Sequence, residues 1–259
     1  MDLTAKRILI TGASSGIGEA LARIAVEEGA SVVGVARRED RLHALAEILG
    51  RQFTPVVCDL EDRRAVDTIR SLEHFDCVIA NAGRGSTIMP LDLNLESLEA
   101  MMRANVYSAL HTLQGAMPNA QRGDTFLFVG SILGRIPYAP WRSAYNASKA
   151  ALAALIVGWR QELYLRGVRV LLVNPGLTKT EFQSTANPES MTLPNLHVDS
   201  TQYPSMKPQT SDEVARKIIE AIESDRDEVY TRQETARWVA KYYNELSDGR
   251  DSVRHLLEP

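Results

Sequence analysis

A tyrosine and a lysine stand four residues apart in the run SAYNASKAAL, as Tyr145 and Lys149. On a helix that spacing brings both side chains to one face, a turn apart. A phenol titrates near about 10 in water and is a poor base at neutral pH. An ammonium a few ångströms away favours its ionised form, so such a pair is suited to moving a proton. A Tyr/Lys pair on an exposed helix is also common and without any role, and the surrounding elements have to decide.

The second chemically pointed stretch is TGASSGIG, Thr11 to Gly18, between the apolar run RILIT (7–11) and the helical pattern GIGEALARIAVEEG (16–29). A tight strand-to-helix turn needs residues without a Cβ, for positive φ and for close approach of the backbone. The helix start then offers free N–H groups and a partial positive charge to a pyrophosphate. The glycines lie between the first strand and the first helix, where a dinucleotide site requires them.

Further elements alternate in the same way. SVVGVA (31–36), TPVVCDL, FDCVIANAG, DTFLFVGS (124–131) and GVRVLLVNPG read as strands. EDRLHALAEILG, DRRAVDTIRSL, a long stretch near 95–117, and 143–166 read as helices. The strands are near-continuous apolar runs, as in a parallel sheet covered on both faces. The expectation is one α/β domain, a Rossmann-type doubly wound parallel sheet. The polar stretch 176–211, with prolines at 188, 194, 204 and 208, has no sustained period and is expected to be a substrate lid. A helix (211–224), a short strand DEVYT and a charged helical tail (234–259) complete the chain.

Composition narrows the classes. Hydrophobic residues make up 44% and charged ones 24%, and the net charge of −4, without a basic run, argues against nucleic-acid binding. Cys58 and Cys77 sit in apolar strand-like stretches as small buried hydrophobes. The five histidines lack metal-ligand spacing, so no metal is expected. The start MDLTAKRILIT lacks a secretory pattern and no run has the length of a membrane span, so the expected location is cytoplasmic.

TGASSGIG, CDL, NAG, NVYSAL, VGS, YNASK and NPGLTKT follow one another along almost the whole chain. In this order the sequence resembles the short-chain dehydrogenase/reductase family. The resemblance implies Tyr145 as catalytic acid/base and Lys149 as its partner, also bound to the nicotinamide ribose. Ser131 would hydrogen-bond the substrate oxygen, and Asn105 would hold a water in a proton relay. Cofactor contacts would come from Gly12, Ser14, Ser15, Gly16, Ile17 and Gly18, then from Asp59 and Leu60 at the adenine and from Asn81, Ala82 and Gly83. Pro175, Gly176, Thr178 and Thr180 would meet the nicotinamide end.

The end of the second strand carries Arg37 and Arg38 where an NAD enzyme would carry an acid. Guanidinium groups suit a 2′-phosphate, so NADP(H) is expected over NAD(H), with Arg37 the main contact and Arg38 its neighbour. The expected activity is hydride transfer between nicotinamide C4 and a carbonyl or secondary alcohol. The alternative is a nucleotide-binding sensor or scaffold that kept the fold and little turnover. The partner would be a small-molecule carbonyl or alcohol. Met89, Tyr138, Trp141, Phe182, Met191 and Leu193 are candidates for its pocket, and Arg84, Arg135 and Arg142 for attracting an anion. The resemblance also implies a homodimer or homotetramer built on the helices near 95–117 and 143–166.

Overall fold

The computed structural model describes residues 1–137, 139, 141–180 and 207–247. Strands β1 (Arg7–Thr11), β2 (Ser31–Ala36), β3 (Phe53–Val57), β4 (Cys77–Ala80), β5 (Thr125–Val129) and β6 (Arg169–Asn174) join β9 (Glu228–Tyr230) in one sheet. Its order is β3-β2-β1-β4-β5-β6-β9, and every neighbouring pair is parallel. The chain runs outward from β1 to β3, then returns to β4 on the other side of β1. That reversal opens a crevice at the C-terminal ends of β1 and β4, the general ligand position of such sheets.

Alternation along the strands sorts the apolar residues into two cores. Ile8, Ile10, Leu127, Val129, Leu171 and Val173 face helices α1 (Gly16–Glu27), α2 (Glu39–Leu49) and α7 (Ser211–Glu223). Leu9, Val33, Val35, Phe126, Phe128, Val170 and Leu172 face α3 (Ala65–Arg70), α5 (Ser108–Ala116) and α6 (Ser143–Tyr164). Both faces of the central strands are thus dry, which is why these strands read as unbroken apolar runs. Each large aliphatic side chain so buried contributes roughly 1.5–3 kcal/mol. Cys77 lies in the first core, where burial pushes its thiol up to about 12. Cys58 is half-buried.

Three elements differ from expectation. The stretch 95–117 is not one helix: α4 (Leu95–Met102) passes through a π-turn at Arg103–Tyr107 before α5 begins. Helix α3 is shorter than 62–72, because Asp62 turns back on the chain and takes the Arg64 N–H at 2.8 Å. The polar stretch 176–211 begins and ends in order: β7 (Thr178–Lys179) pairs with β8 (Gln209–Thr210), and Thr210 caps α7 in a reciprocal bond pair with Glu213. The rest of the expected lid, 181–206, lies outside the described residues. Of the expected tail, α8 (Gln233–Ser247) is a helix, and 248–259 is likewise outside.

Candidate active site

The glycine turn is a cradle with room for hydrogen only. Gly12 and Gly16 have φ of 70° and 60°, a region that side chains avoid. A Cβ on Gly18 would run into the Gly12 carbonyl oxygen. Thr11 ties this turn to the end of β4: its buried hydroxyl accepts the N–H groups of Asn81 and Ala82, each at 3.0 Å, and its carbonyl accepts from Asn81 Nδ2 at 3.0 Å. The two motifs, TGASSGIG and NAG, therefore form one rigid floor at the crevice. Ser15 precedes the start of α1, which turns its N-terminus toward this floor.

At the outer end of the floor the two arginines part. Arg38 reaches inward, with Nε donating to Ser14 Oγ at 3.1 Å and its Nη2 bonded to Ser15 Oγ. Arg37 turns toward β3's exit, where its Nη1 lies 3.2 Å from Glu61 and 3.9 Å from Asp59. Asp59 accepts the Glu61 N–H at 3.0 Å, which folds Asp59-Leu60-Glu61 into a tight turn beside Arg37. Glu61 was not among the expected site residues, although it follows directly on CDL. The guanidinium against the two serines belongs to Arg38, the residue expected to be secondary.

The residues expected to handle the proton stand on β5's exit and on α6. Tyr145 is 7% exposed, Lys149 4% and Ser131 8%. Burial raises the Tyr145 phenol above its ordinary value, against a hydrogen bond with Ser131 and the charge of Arg142, which both lower it. Ser131 Oγ in turn accepts the Leu133 N–H at 3.1 Å. Lys149 Nζ donates to the Val129 carbonyl at 3.0 Å, and burial brings its ammonium down to about 8.

Asn105 is fully buried in the π-turn. Its Oδ1 accepts the Arg84 N–H at 2.9 Å, and its Nδ2 donates to the Arg84 carbonyl and to Ser148 Oγ, both at 3.0 Å. The Ser148 hydroxyl in turn donates to the Tyr145 carbonyl at 2.8 Å. These bonds account for an asparagine in mid-helix, and a π-turn at such a point is a frequent mark of function. A Cβ on Gly83 would stand 2.5 Å from Asn105 Oδ1 and 3.7 Å from Lys149 Nζ. The NAG loop thus packs directly against Asn105 and the Lys149 side chain of α6. Ser148 escaped the sequence reading, though its place three residues after Tyr145 puts it on the same face.

Beyond β6, the Pro175 carbonyl accepts the Ile132 N–H at 3.0 Å, so this turn abuts the one carrying Ser131. Thr178 Oγ1 donates to the Gly176 carbonyl at 3.1 Å. The Thr180 methyl would lie 3.3 Å from a Cβ on Gly16, which brings this segment over the glycine turn. Of the pocket candidates, Tyr138, Phe182, Met191 and Leu193 lie outside the described residues. Arg135 is committed to an ion pair with Glu228 at 2.7 Å, and Arg84 Nη2 donates to the Ala100 carbonyl at 3.3 Å. Neither is a loose anion trap. Among the described residues no group of His, Cys, Asp and Glu could hold a metal ion, and no helix is long and apolar enough to cross a membrane.

A parallel sheet with a glycine cradle at its switch point, beside a buried Ser, Tyr and Lys, defines a Rossmann-type α/β protein with a polar site at the strand ends. The short chain dehydrogenase family model matches residues 6–190, more than half of the chain, and the protein belongs to that family. It is 32% identical over 219 residues to a serine 3-dehydrogenase of Agrobacterium fabrum, covering 82% of this chain and 85% of the relative. A Burkholderia phymatum short-chain dehydrogenase/reductase solved with NAD superposes with a TM-score of 0.82 at 20% identity, over 97% of each chain. The closed form of a serine dehydrogenase with NADP+ gives a TM-score of 0.74 at 22% identity, over 86% of this chain and 93% of its own. Family membership makes the chain an oxidoreductase of the short-chain dehydrogenase type.

Proposed function

We propose that this protein is an NADP(H)-dependent carbonyl reductase or alcohol dehydrogenase in which Tyr145 exchanges the proton. The carrying observation is the buried set Ser131, Tyr145 and Lys149 at the strand ends beside the glycine cradle. The nicotinamide ring supplies or takes up hydride at the substrate carbon. In the reductive direction Tyr145 gives its phenolic proton to the carbonyl oxygen, and the product is the alcohol. Ser131 holds that oxygen by a hydrogen bond and stabilises the charge that develops on it. Lys149 binds the cofactor ribose and favours the phenolate left behind, which solvent reprotonates by way of Lys149 and a water held at Asn105. In oxidation each of these transfers runs backward.

Cofactor preference rests on the absence of a carboxylate at the end of β2 and on Arg37 and Arg38 in its place. Arg38, already fixed against Ser14 and Ser15, takes the 2′-phosphate; Arg37 supports it from the Glu61 side. Arg38→Ala should raise the KM for NADPH roughly ten- to a hundredfold, the worth of a hydrogen bond to a charged group, and leave that for NADH within about twofold. Equal losses for both cofactors would refute the preference. The opening assay is oxidation of NADPH and NADH over aldehydes, ketones and keto acids, with L-serine and NADP+ in the reverse direction because one relative is a serine 3-dehydrogenase.

A second copy of the chain would meet the helices α4 to α6, where Leu95 is 80% exposed and Tyr164 79%, with Leu165, 82% exposed, directly after α6. A Tyr164→Glu, Leu165→Glu variant should sediment as a smaller species than the parent. A parent that itself sediments as a monomer would remove this part of the reading.

A further inference from the structure

Beside the turn that starts at Ser131, one carboxylate collects four hydrogen bonds. Glu228, on the edge strand β9, accepts Arg135 Nε at 2.9 Å and Arg135 Nη2 at 2.7 Å. Its Oε1 also accepts Asn174 Nδ2 at 2.9 Å and the Tyr230 hydroxyl at 2.7 Å. The side chains of Arg135 and Glu228 are 17% and 25% exposed, and Asn174 is fully buried. A two-pronged guanidinium–carboxylate bond of this kind fixes orientation as well as distance.

Two of the three donor residues, Arg135 and Asn174, come from the exits of β5 and β6 that frame the reacting centre, and the third, Tyr230, lies on β9 itself. Arg135 closes the short turn that starts at Ser131: the Gly134 N–H donates to the Ser131 carbonyl at 3.0 Å and the Arg135 N–H to the Ile132 carbonyl at 2.8 Å. On its other side the turn is pressed against α6, since a Cβ on Gly134 would lie 2.7 Å from the Lys149 carbonyl. Asn174 ends β6 directly before Pro175 and Gly176. Its Oδ1 is buried without a hydrogen-bond partner, so the amide is oriented by its donation to Glu228. Packing behind the cluster comes from Ile132, Ile136, Tyr230, Trp238 and Val239, which join the turn to α8.

We propose that Glu228 is a positioning residue that, through Arg135, fixes the turn carrying Ser131 and so sets the hydroxyl against Tyr145 and the substrate oxygen. The inference rests on the reading of Ser131 given above. Glutamine at 228 keeps the shape but presents an N–H₂ to a guanidinium that needs an acceptor. Lysine at 135 keeps the charge but cannot make the two-pronged bond. The high phenol pKa of Tyr230, raised by burial and then by its bond to Glu228, agrees with a hydroxyl that stays a donor.

The test combines kinetics with hydrogen exchange. Glu228→Gln and Arg135→Lys are made in the parent and in Ser131→Ala, and assayed with NADPH and the panel carbonyl compound that the parent reduces fastest. In the parent each should lower kcat/KM roughly ten- to a hundredfold, as expected when a reacting group is misplaced by about an ångström. In Ser131→Ala the same changes should cost less than about twofold, because the residue they act through is gone. Without cofactor, the Leu133 and Gly134 amides should exchange at least about tenfold faster in Glu228→Gln, with β1 and β4 unaffected. Tyr230→Phe, which removes one bond and keeps the charge, should show the same pattern at about a few-fold.

Equal losses in both backgrounds, or unchanged exchange in the turn, would overturn the proposal. Full turnover in Ser131→Ala together with loosened exchange in Glu228→Gln would sink the role given to Ser131 and leave the anchor standing. Only the exchange measurement is independent of the substrate, and it separates the two failures.

Discussion

Tyr145→Phe should lower turnover by about 10²–10⁴-fold, the usual range for loss of a positioned acid–base group, while the Kd for NADPH changes less than about threefold. The ring is buried, so phenylalanine fills the same space and the helix keeps its packing. What disappears is the hydroxyl that bonds with Ser131 and that, in the proposed mechanism, exchanges a proton with the substrate oxygen. Burial holds this phenol above its ordinary value within the chain, with Ser131 and Arg142 acting in the opposite sense. The base form needed for alcohol oxidation is therefore scarce at neutral pH, and oxidation should gain more from rising pH than reduction does. Fluorescence titration of NADPH and initial rates in both directions check the two halves of the prediction. Retained turnover in the phenylalanine variant would remove Tyr145 from the chemistry. A silent parent that binds NADPH would instead favour a nucleotide sensor.

Much of this arrangement could be read from residue order. Alternating apolar runs and helical patterns fixed a doubly wound sheet, since strands dry on both faces leave an unbroken signature. Glycines at a strand–helix junction marked the cradle because steric rules there admit little else. Where the reading fell short, the cause is tertiary. Nothing local in RANVY announces a π-turn; the turn goes with the bonds of Asn105 to Arg84 and Ser148, which lie 21 and 43 residues away. The two-residue strands β7 and β8 are too short to carry a period. Arg37 and Arg38 are chemically alike and adjacent, so only the neighbours Glu61, Ser14 and Ser15 separate their roles. Arg135 looked like a mouth residue by proximity to Ser131, but its partner sits 93 residues further on.

The second large effect concerns stability as much as turnover. Lys149→Met should cut kcat/KM by at least about a hundredfold, since it removes a group that orients the reacting partners. The same change should stabilise the apoprotein at neutral pH by roughly 3 kcal/mol, from the depth of the pKa depression. Lys149 is 4% exposed, its ammonium donates to one carbonyl at 3.0 Å, and burial brings its pKa from 10.5 down to about 8. Below about pH 8 both native and unfolded chains hold this proton, and the native state bears the whole cost of a buried charge. Between about pH 8 and 10.5 the unfolded chain still binds a proton that the native chain has released, so this group's contribution makes stability rise with pH. Cys77 and Tyr145, both raised by burial, act in the opposite direction once their unfolded forms ionise. Those contributions are common to parent and variant, so the difference between the two isolates the lysine. Urea unfolding at several pH values should show a gap that is widest near neutrality and closes above about pH 10. A methionine variant less stable than the parent at every pH would mean that the Val129 bond outweighs the desolvation cost. In that case the ammonium would be held in place by the fold rather than kept there for the reaction at the fold's expense.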